Sequence, residues 1–228
     1  MLHKTNCLNC PNKSKCFSHL SADELLRFNE FRTEISYKKG ETIIKQGTFA
    51  THVLFIKSGM AKIYIEGHQK NLIVKLVKSG ELIGLTSLFD IKFHNFTVVS
   101  LKDPTTVCLI EKKQFQTMVF ENANFAIEVI KDLDFNITKI IRKLYCLSNK
   151  QLQHRMAEIL LELSTDVYNS DNFELTLSRK DLSEMTSMAM ENVVRILKDF
   201  KNSGLIELNG KQIKILEKQK LIEISSQS

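Results

Sequence analysis

The sequence predicts an α+β chain in three consecutive parts: an antiparallel β domain, one long helix, and two short helices closed by a hairpin. Three observations carry this. Short β-rich runs separated by Gly-containing turns fill residues 35–110. An apolar repeat at helical spacing follows between Ile130 and Leu147. Two short amphipathic segments over 177–202 then precede an Asn209-Gly210 turn flanked by strand text. With 228 residues and 43% hydrophobic content, the chain has room for one large or two modest domains, and wholesale disorder is excluded.

The chain opens on Cys7, Cys10 and Cys16, spaced C-x2-C-x5-C, and a further thiol, Cys108, lies far downstream in the apolar run 106–110. A tight trio and one remote thiolate close a four-ligand site only if the fold brings the remote one back. Such sets hold zinc or an iron–sulfur cluster. No run of eighteen apolar residues occurs and residues 1–6 lack a signal-peptide core, so a cytoplasmic chain without a membrane segment is expected. There thiols stay reduced, and spaced cysteines read as metal ligands; the total of five also fits full disulfide pairing poorly. Against this, C-x2-C alone is common, and Cys108 alone reads as a small buried core residue. Cys146 is given no role.

Ser21, with Glu24 three residues on, marks a helix start. The β-rich runs at 41–45, 52–56, 60–65, 72–77, 97–100 and 106–110 alternate with turns at Gly40, Gly47, Gly59, Gly67 and Gly80, the text of a sandwich or roll. Next, Ile130, Leu133, Ile137, Ile140, Leu144 and Leu147 form a two-per-heptad seam on one helix, narrow enough to pair with a second copy; the blander reading is that the stripe packs on the β domain. Ile127 and Ile141 are left for packing within the chain.

In the C-terminal part, Ser178 is the N-cap of a first helix to Met185, a turn spans 186–188, and a second helix runs from about Ala189 to Phe200. This helix buries Ala189, Val193, Ile196, Leu197 and Phe200. Its other face presents Glu191, Val194, Arg195 and Lys198. An Arg there can donate two bonds to a guanine edge and a Glu can accept from a cytosine amino group. Lys198, Lys201, Ser178 and Arg179 are placed for phosphates. The blander reading of Glu191 and Arg195 is a surface ion pair worth a few tenths of a kcal/mol, on the order of an ordinary i,i+4 contact. Helix pair plus hairpin makes a winged helix-turn-helix. Bulk charge does not carry this: the net charge is +6, yet from Asn149 onward 11 Lys and Arg face 12 Asp and Glu. No catalytic constellation is present, so an enzyme is not expected.

These residues together resemble the CRP/FNR family of bacterial transcription regulators nearly end to end. The motifs at 38–41, 46–47, 53–59 and 80–84 are similar to the family's β-roll signposts, and 190–200 is similar to its recognition helix. The resemblance implies a cyclic-nucleotide-binding-like jelly roll, a dimerisation helix, and binding of double-stranded palindromic DNA by a homodimer working with RNA polymerase. Glu191 and Arg195 take the base-reading positions, with Val194 where the FNR branch usually has Ser; Ser178, Arg179 and Lys198 take phosphate positions. Leu85 stands where the cyclic-nucleotide branch has Glu, and Asn95-Phe96 where it has Arg-Ser, so cyclic AMP is not the expected ligand. Cys7, Cys10, Cys16 and Cys108 resemble the oxygen-sensing branch, whose [4Fe–4S] cluster favours the dimer and is degraded by oxygen, releasing DNA. His3, Lys4, Lys13 and Lys15 read most simply as a solvated basic tail, and are also available to offset the cluster's charge. Ser187 sits where the turn often has Gly.

The expected domains are a cysteine-rich segment 1–20, a β-roll sensor 21–122, a dimerisation helix 123–148 and a winged domain 149–228. Competing expectations are a same-family regulator with structural zinc, with haem (on His52, His68 or His94), with another small ligand, or with incidental cysteines and no cofactor. From another class, the competitor is a scaffold or regulatory subunit that does not bind DNA.

Overall fold

The structure, a computed structural model, describes residues 6–226. His3 and Lys4, expected near the cysteines, lie outside the described residues. Two compact units divide the chain: one holds the residues up to Glu66 and Lys75–Lys139, the other Gly67–Val74 and Ile140 onward.

In the first unit, two short 3-10 segments, Cys7–Asn9 and Lys15–His19, precede helix α1 (Ala22–Glu30). The Ser21/Glu24 box is formed: Ser21 Oγ accepts from the Glu24 amide and Glu24 accepts from the Ser21 amide. Strands follow as β1 (Arg32–Tyr37), β2 (Thr42–Ile44), β3 (His52–Ser58), β4 (Met60–Ile65), β5 (Leu72–Lys78), β6 (Leu82–Ile83), β7 (Thr97–Ser100) and β8 (Thr105–Glu111). They form two four-stranded antiparallel sheets, ordered β1-β8-β3-β6 and β2-β7-β4-β5. Gly59 joins β3 to β4 at φ +92°, and a Cβ there would meet the Thr105 backbone at 2.7 Å. Only glycine fits that approach.

β1 lies outside the runs that the sequence marks as strands, the first of which begins at Glu41, and α2 (Lys112–Glu121) is likewise not among the elements expected. Helix α3 is continuous over Ala123–Asn149. Its inward residues are Phe125 and Val129, fully buried, with Leu133 partly buried against the same core. Ile127 and Ile141, expected to pack within the chain, are exposed instead, together with Ile130, Ile137, Ile140 and Leu144. The helix is therefore turned relative to the expected seam: Leu133 leaves the solvent-facing stripe and Ile127 and Ile141 join it.

The second unit contains α4 (Leu152–Glu162), β9 (Asn172–Glu174), α5 (Arg179–Thr186), α6 (Met190–Asn202), β10 (Ile206–Asn209), β11 (Gln212–Ile215) and α7 (Lys218–Ser226). The hairpin turns at Asn209-Gly210 with Asn209 opposite Gln212, and β9 adds a third strand, giving the order β10-β11-β9. Sequence reading took residues 168–172 as loop and missed both β9 and α7.

Candidate metal centre and nucleic-acid interface

The thiol pocket follows from strand register. In β8, Cys108 lies opposite Glu34 of β1 and Phe55 of β3, while Ile110 lies opposite Arg32 and Val53. Opposed residues share a face and alternate residues return to it. Arg32, Glu34, Val53, Phe55, Lys57, Cys108 and Ile110 therefore stand on one face of one sheet. The N-terminal segment and α1 cover that face. Phe17 packs edge-on to Phe28 and Phe55, both at 5.6 Å between ring centroids, and Phe115 and Phe125 close the layer at 5.2 Å. Asn12 Nδ2 donates to the Lys57 carbonyl at 3.0 Å and ties the cysteine loop to β3.

Cys7, Cys10 and Cys108 line one pocket with Lys13, Arg32 and Lys57, against a wall that includes Phe17, Phe28, Phe55 and Ile110. Cys16 is buried in the same core and its Sγ donates to Ser14 Oγ at 3.3 Å. Among the described residues, no group of three or more His, Cys, Asp or Glu is arranged to hold a single metal ion. The expected ligands thus share a core without forming a closed cage: Cys16 faces Ser14 and a guanidinium stands on Cys108.

Burial pushes the Cys16 thiol up to about 11. It also raises the Cys7 and Cys108 thiols, with the Arg32 charge pulling both back. Arg32 itself is raised: burial works against its charge, but Cys7 and then Cys108 outweigh it. Arg32 is buried, and sequence reading missed it. No signal near Arg32 in the sequence gives it this place, which follows only from the pairing of β1 with β8. Its Nε and Nη2 donate to Asn29 Oδ1 at 3.1 and 3.0 Å, and its Nη1 donates to Glu34 Oε2 at 3.2 Å and Cys108 Sγ at 3.3 Å. Lys57 Nζ takes the other Glu34 oxygen at 2.6 Å.

The donor set fits a soft metal centre: the ligating side chains on the pocket are thiols, which suit zinc or iron–sulfur groups. A thiolate cage is anionic, and the cations of Lys13, Arg32 and Lys57 are of the sign needed to hold it. None of the histidines considered for haem lines this pocket. His52 Nδ1 shares a hydrogen with Thr51 Oγ1 at 2.9 Å, His68 is exposed, and His94 is buried. Cys146 is buried in α3, and burial, with Glu158, pushes its thiol up to about 12.

In the second unit, Ser178 caps α5 by accepting from the Asp181 amide, and Asp181 accepts in return. The turn passes through Ser187 at φ 53°, the left-handed conformation that makes glycine frequent there. In α6, Val193, Ile196, Leu197 and Phe200 are buried and Glu191, Val194, Arg195 and Lys198 are exposed, because the apolar residues recur at helical spacing. Ala189, expected in the core, is the exposed N-cap, and Met188 is buried in the turn before it. Arg179 Nη2 donates to the Gly210 carbonyl at 3.3 Å and Lys201 Nζ to the Leu208 carbonyl at 3.1 Å. Two expected phosphate contacts thus hold the hairpin against the helix pair.

A β-roll followed by a long helix, and a winged helix-turn-helix, define a class of DNA-binding transcription regulators. Residues 34–122 match the family model of the cyclic nucleotide-binding domain, and residues 154–224 match that of the Crp-like helix-turn-helix domain. The chain belongs to the CRP/FNR family of transcription regulators. It is 25% identical over 185 residues to the transcriptional activator protein FnrA of Stutzerimonas stutzeri, covering 79% of this chain and 75% of that one. It is 24% identical over 181 residues to the cAMP-activated global transcriptional regulator CRP of Salmonella typhimurium, covering 78% and 86%. In fold it is similar to FixK2 of Bradyrhizobium japonicum (TM-score 0.79, 21% identity, 86% of this chain and 98% of that one). CooA of Carboxydothermus hydrogenoformans is also similar (0.75, 22%, covering 99% and 98%). Among the described residues, no helix is long and apolar enough to cross a membrane.

Proposed function

We propose that this regulator is switched by an iron–sulfur cluster held by Cys7, Cys10, Cys16 and Cys108, so that DNA binding answers to oxygen or nitric oxide. One observation carries the reading: the remote Cys108 opens onto the same pocket as Cys7 and Cys10, with Cys16 in the adjoining core. When bound, the cluster supplies a centre that oxidants can destroy. The chain's own part is to bring the thiols together, to exclude water with the Phe17, Phe28 and Phe55 rings, and to place cations beside the sulfurs. Because the ligands come from the N-terminal segment and from β8, loading ties that segment to the sheet. Leu85, Asn95 and Phe96, standing where the cyclic-nucleotide branch has Glu and an Arg-Ser pair, speak against that branch.

The same reading assigns DNA contacts to α6 and α5. Glu191, Val194 and Arg195 face base edges; Ser178, Arg179, Lys198 and Lys201 serve the phosphates. It pairs two copies through α3, whose exposed Ile130, Ile137, Ile140 and Leu144 leave an apolar stripe that a second helix covers. Leu147 continues the stripe at its end, and Leu133 flanks it from the core side. Paired α6 helices then meet half-sites about one helical turn apart.

The test is anaerobic purification followed by iron and sulfide assay, visible absorption, and operator binding before and after exposure to air. Cluster-loaded protein that binds operator and loses binding in air is expected. A preparation holding one zinc per chain, with air-insensitive binding, refutes the reading.

A further inference from the structure

We infer that Arg32 is a positioning residue for the thiol pocket: by its hydrogen bond and fixed charge on Cys108 Sγ, it favours the anionic, cluster-loaded state over the empty one. The inference rests on the iron–sulfur reading above and adds a residue outside the ligand set. Its ground is that this guanidinium is built in rather than merely nearby. The side chain is 3% exposed, and a buried cation is costly unless its donors are satisfied. Asn29 Oδ1 takes Nε and Nη2 together, which fixes the plane of the fork and aims Nη1 between Glu34 and Cys108.

Were Arg32 present only to neutralise Glu34, that carboxylate would need no second cation. It has one: Lys57 sits on its other oxygen at 2.6 Å. Two cations thus stand at one carboxylate, and Nη1 of one of them also reaches the Cys108 sulfur. Lys13 lines the same pocket. A hydrogen bond to a ligating sulfur and a fixed nearby cation both stabilise the more reduced, more negative form of a thiolate-bound cluster.

The experiment compares wild type with Arg32→Gln, Arg32→Lys and, as a control, Arg27→Gln. Arg27 is an exposed arginine on α1 that pairs with Glu121. Each protein is reconstituted anaerobically with ferrous iron and sulfide, checked for fold by circular dichroism, and titrated for the cluster's reduction potential. Iron loss to a chelator is timed in parallel. Arg32→Gln is expected to shift the reduction equilibrium roughly tenfold toward the oxidised form, about 59 mV for one electron, and to lose iron several times faster. Arg32→Lys is expected to recover part of both effects, and Arg27→Gln to match wild type. Arg32→Gln with the wild-type potential and chelator resistance overturns the inference and leaves the iron–sulfur reading standing. Wild-type protein that takes up no iron and sulfide overturns both. If Arg32→Gln does not fold, Asn29→Ala takes its place, because it unlatches the fork and keeps every charge. A smaller shift in the same direction supports the inference, and an unmoved potential rejects it.

Discussion

Arg195 of α6 donates forward to Asp199, from Nη1 to Oδ2 at 3.5 Å, and not back to Glu191. Its Nη2 reaches Asn192 Oδ1 at 3.4 Å. Both contacts are long and exposed, so they hold the guanidinium weakly, on the order of a few tenths of a kcal/mol. A base edge can replace them at little cost, and the Glu191 carboxylate is not committed to Arg195. Arg195→Ala should therefore weaken specific operator binding by about 1–3 kcal/mol and relax one base position. Asp199→Ala should leave sequence preference unchanged. Fluorescence anisotropy on a panel of single-base operator variants measures both. An Arg195→Ala protein with the wild-type preference at every position removes this residue from base reading.

Phosphate contacts have a different signature. Lys198 is exposed on α6, whereas Lys201 is engaged with the Leu208 carbonyl of β10. Lys198→Ala should weaken all sequences about equally and reduce the slope of log affinity against log salt by about one. Lys201→Ala removes a hairpin tether as well as a charge, so it should also lower thermal stability. A salt titration combined with a melting curve separates the two; identical melting of both variants contradicts the tether.

Cys108→Ser keeps the size of the side chain and its place in β8 but exchanges a soft ligand for a hard one. Iron and sulfide retention after anaerobic reconstitution should fall to background, while the circular dichroism spectrum stays that of the parent. Cys146→Ser, on α3 and outside the pocket, should retain iron fully. A brown, iron-loaded Cys108→Ser protein rules out ligation there.

Much of the architecture was legible because its signals are local. The Ser21/Glu24 box, the Ser178 cap, the Gly59 and Asn209-Gly210 turns, and the apolar face of α6 each declare themselves within a few residues. Arg32 could not be found that way. Its meaning depends on pairing with β8, seventy-odd positions later in the chain, where the register sets Glu34 beside Cys108. The face of α3 is a similar case. Heptad spacing supports more than one seam on a helix rich in Ile and Leu, and packing of Phe125, Val129 and Leu133 on the cysteine core selects which one faces outward. Strand β9 escaped because its three residues, Asn172, Phe173 and Glu174, carry a single apolar side chain and gain their pairing only from β11.

The exposed stripe of α3 gives a direct test of self-association. Ile137 is half exposed at the middle of the helix, and Ile130 and Leu144 lie one heptad to either side at 62% and 65% exposure. A charge at Ile137 would place two like charges against each other at the centre of a paired seam, with little effect on an isolated chain. Ile137→Glu should shift the protein to monomer in analytical ultracentrifugation and abolish binding to a two-half-site operator, with melting little changed at high dilution. An Ile137→Glu dimer of wild-type strength places the interface elsewhere.

His94 gives the first unit a stability that depends on pH. It is 5% exposed, its Nδ1 is buried without a hydrogen-bond partner among the described residues, and its ring packs against Phe96 at 5.6 Å. Burial, and then the nearby Lys112 charge, hold its pKa below the ordinary 6.5. Lys112 is not free to move away, since its Nζ donates to the Phe89 and Ile91 carbonyls at 3.1 and 3.2 Å. The unfolded chain therefore binds a proton at His94 before the folded chain does, and stability rises with pH across that interval. The contribution is complete about a pH unit above 6.5, where both states are neutral, and is lost as pH falls through 6.5 toward the depressed folded value. His94→Leu removes the titrating group and fills the site with an apolar side chain. Between pH 7.5 and 5.5, the melting temperature of the wild type should fall more steeply than that of His94→Leu, with the two curves parallel above that range. Parallel curves over the whole range would show that His94 is solvated in the folded protein and carries no such penalty.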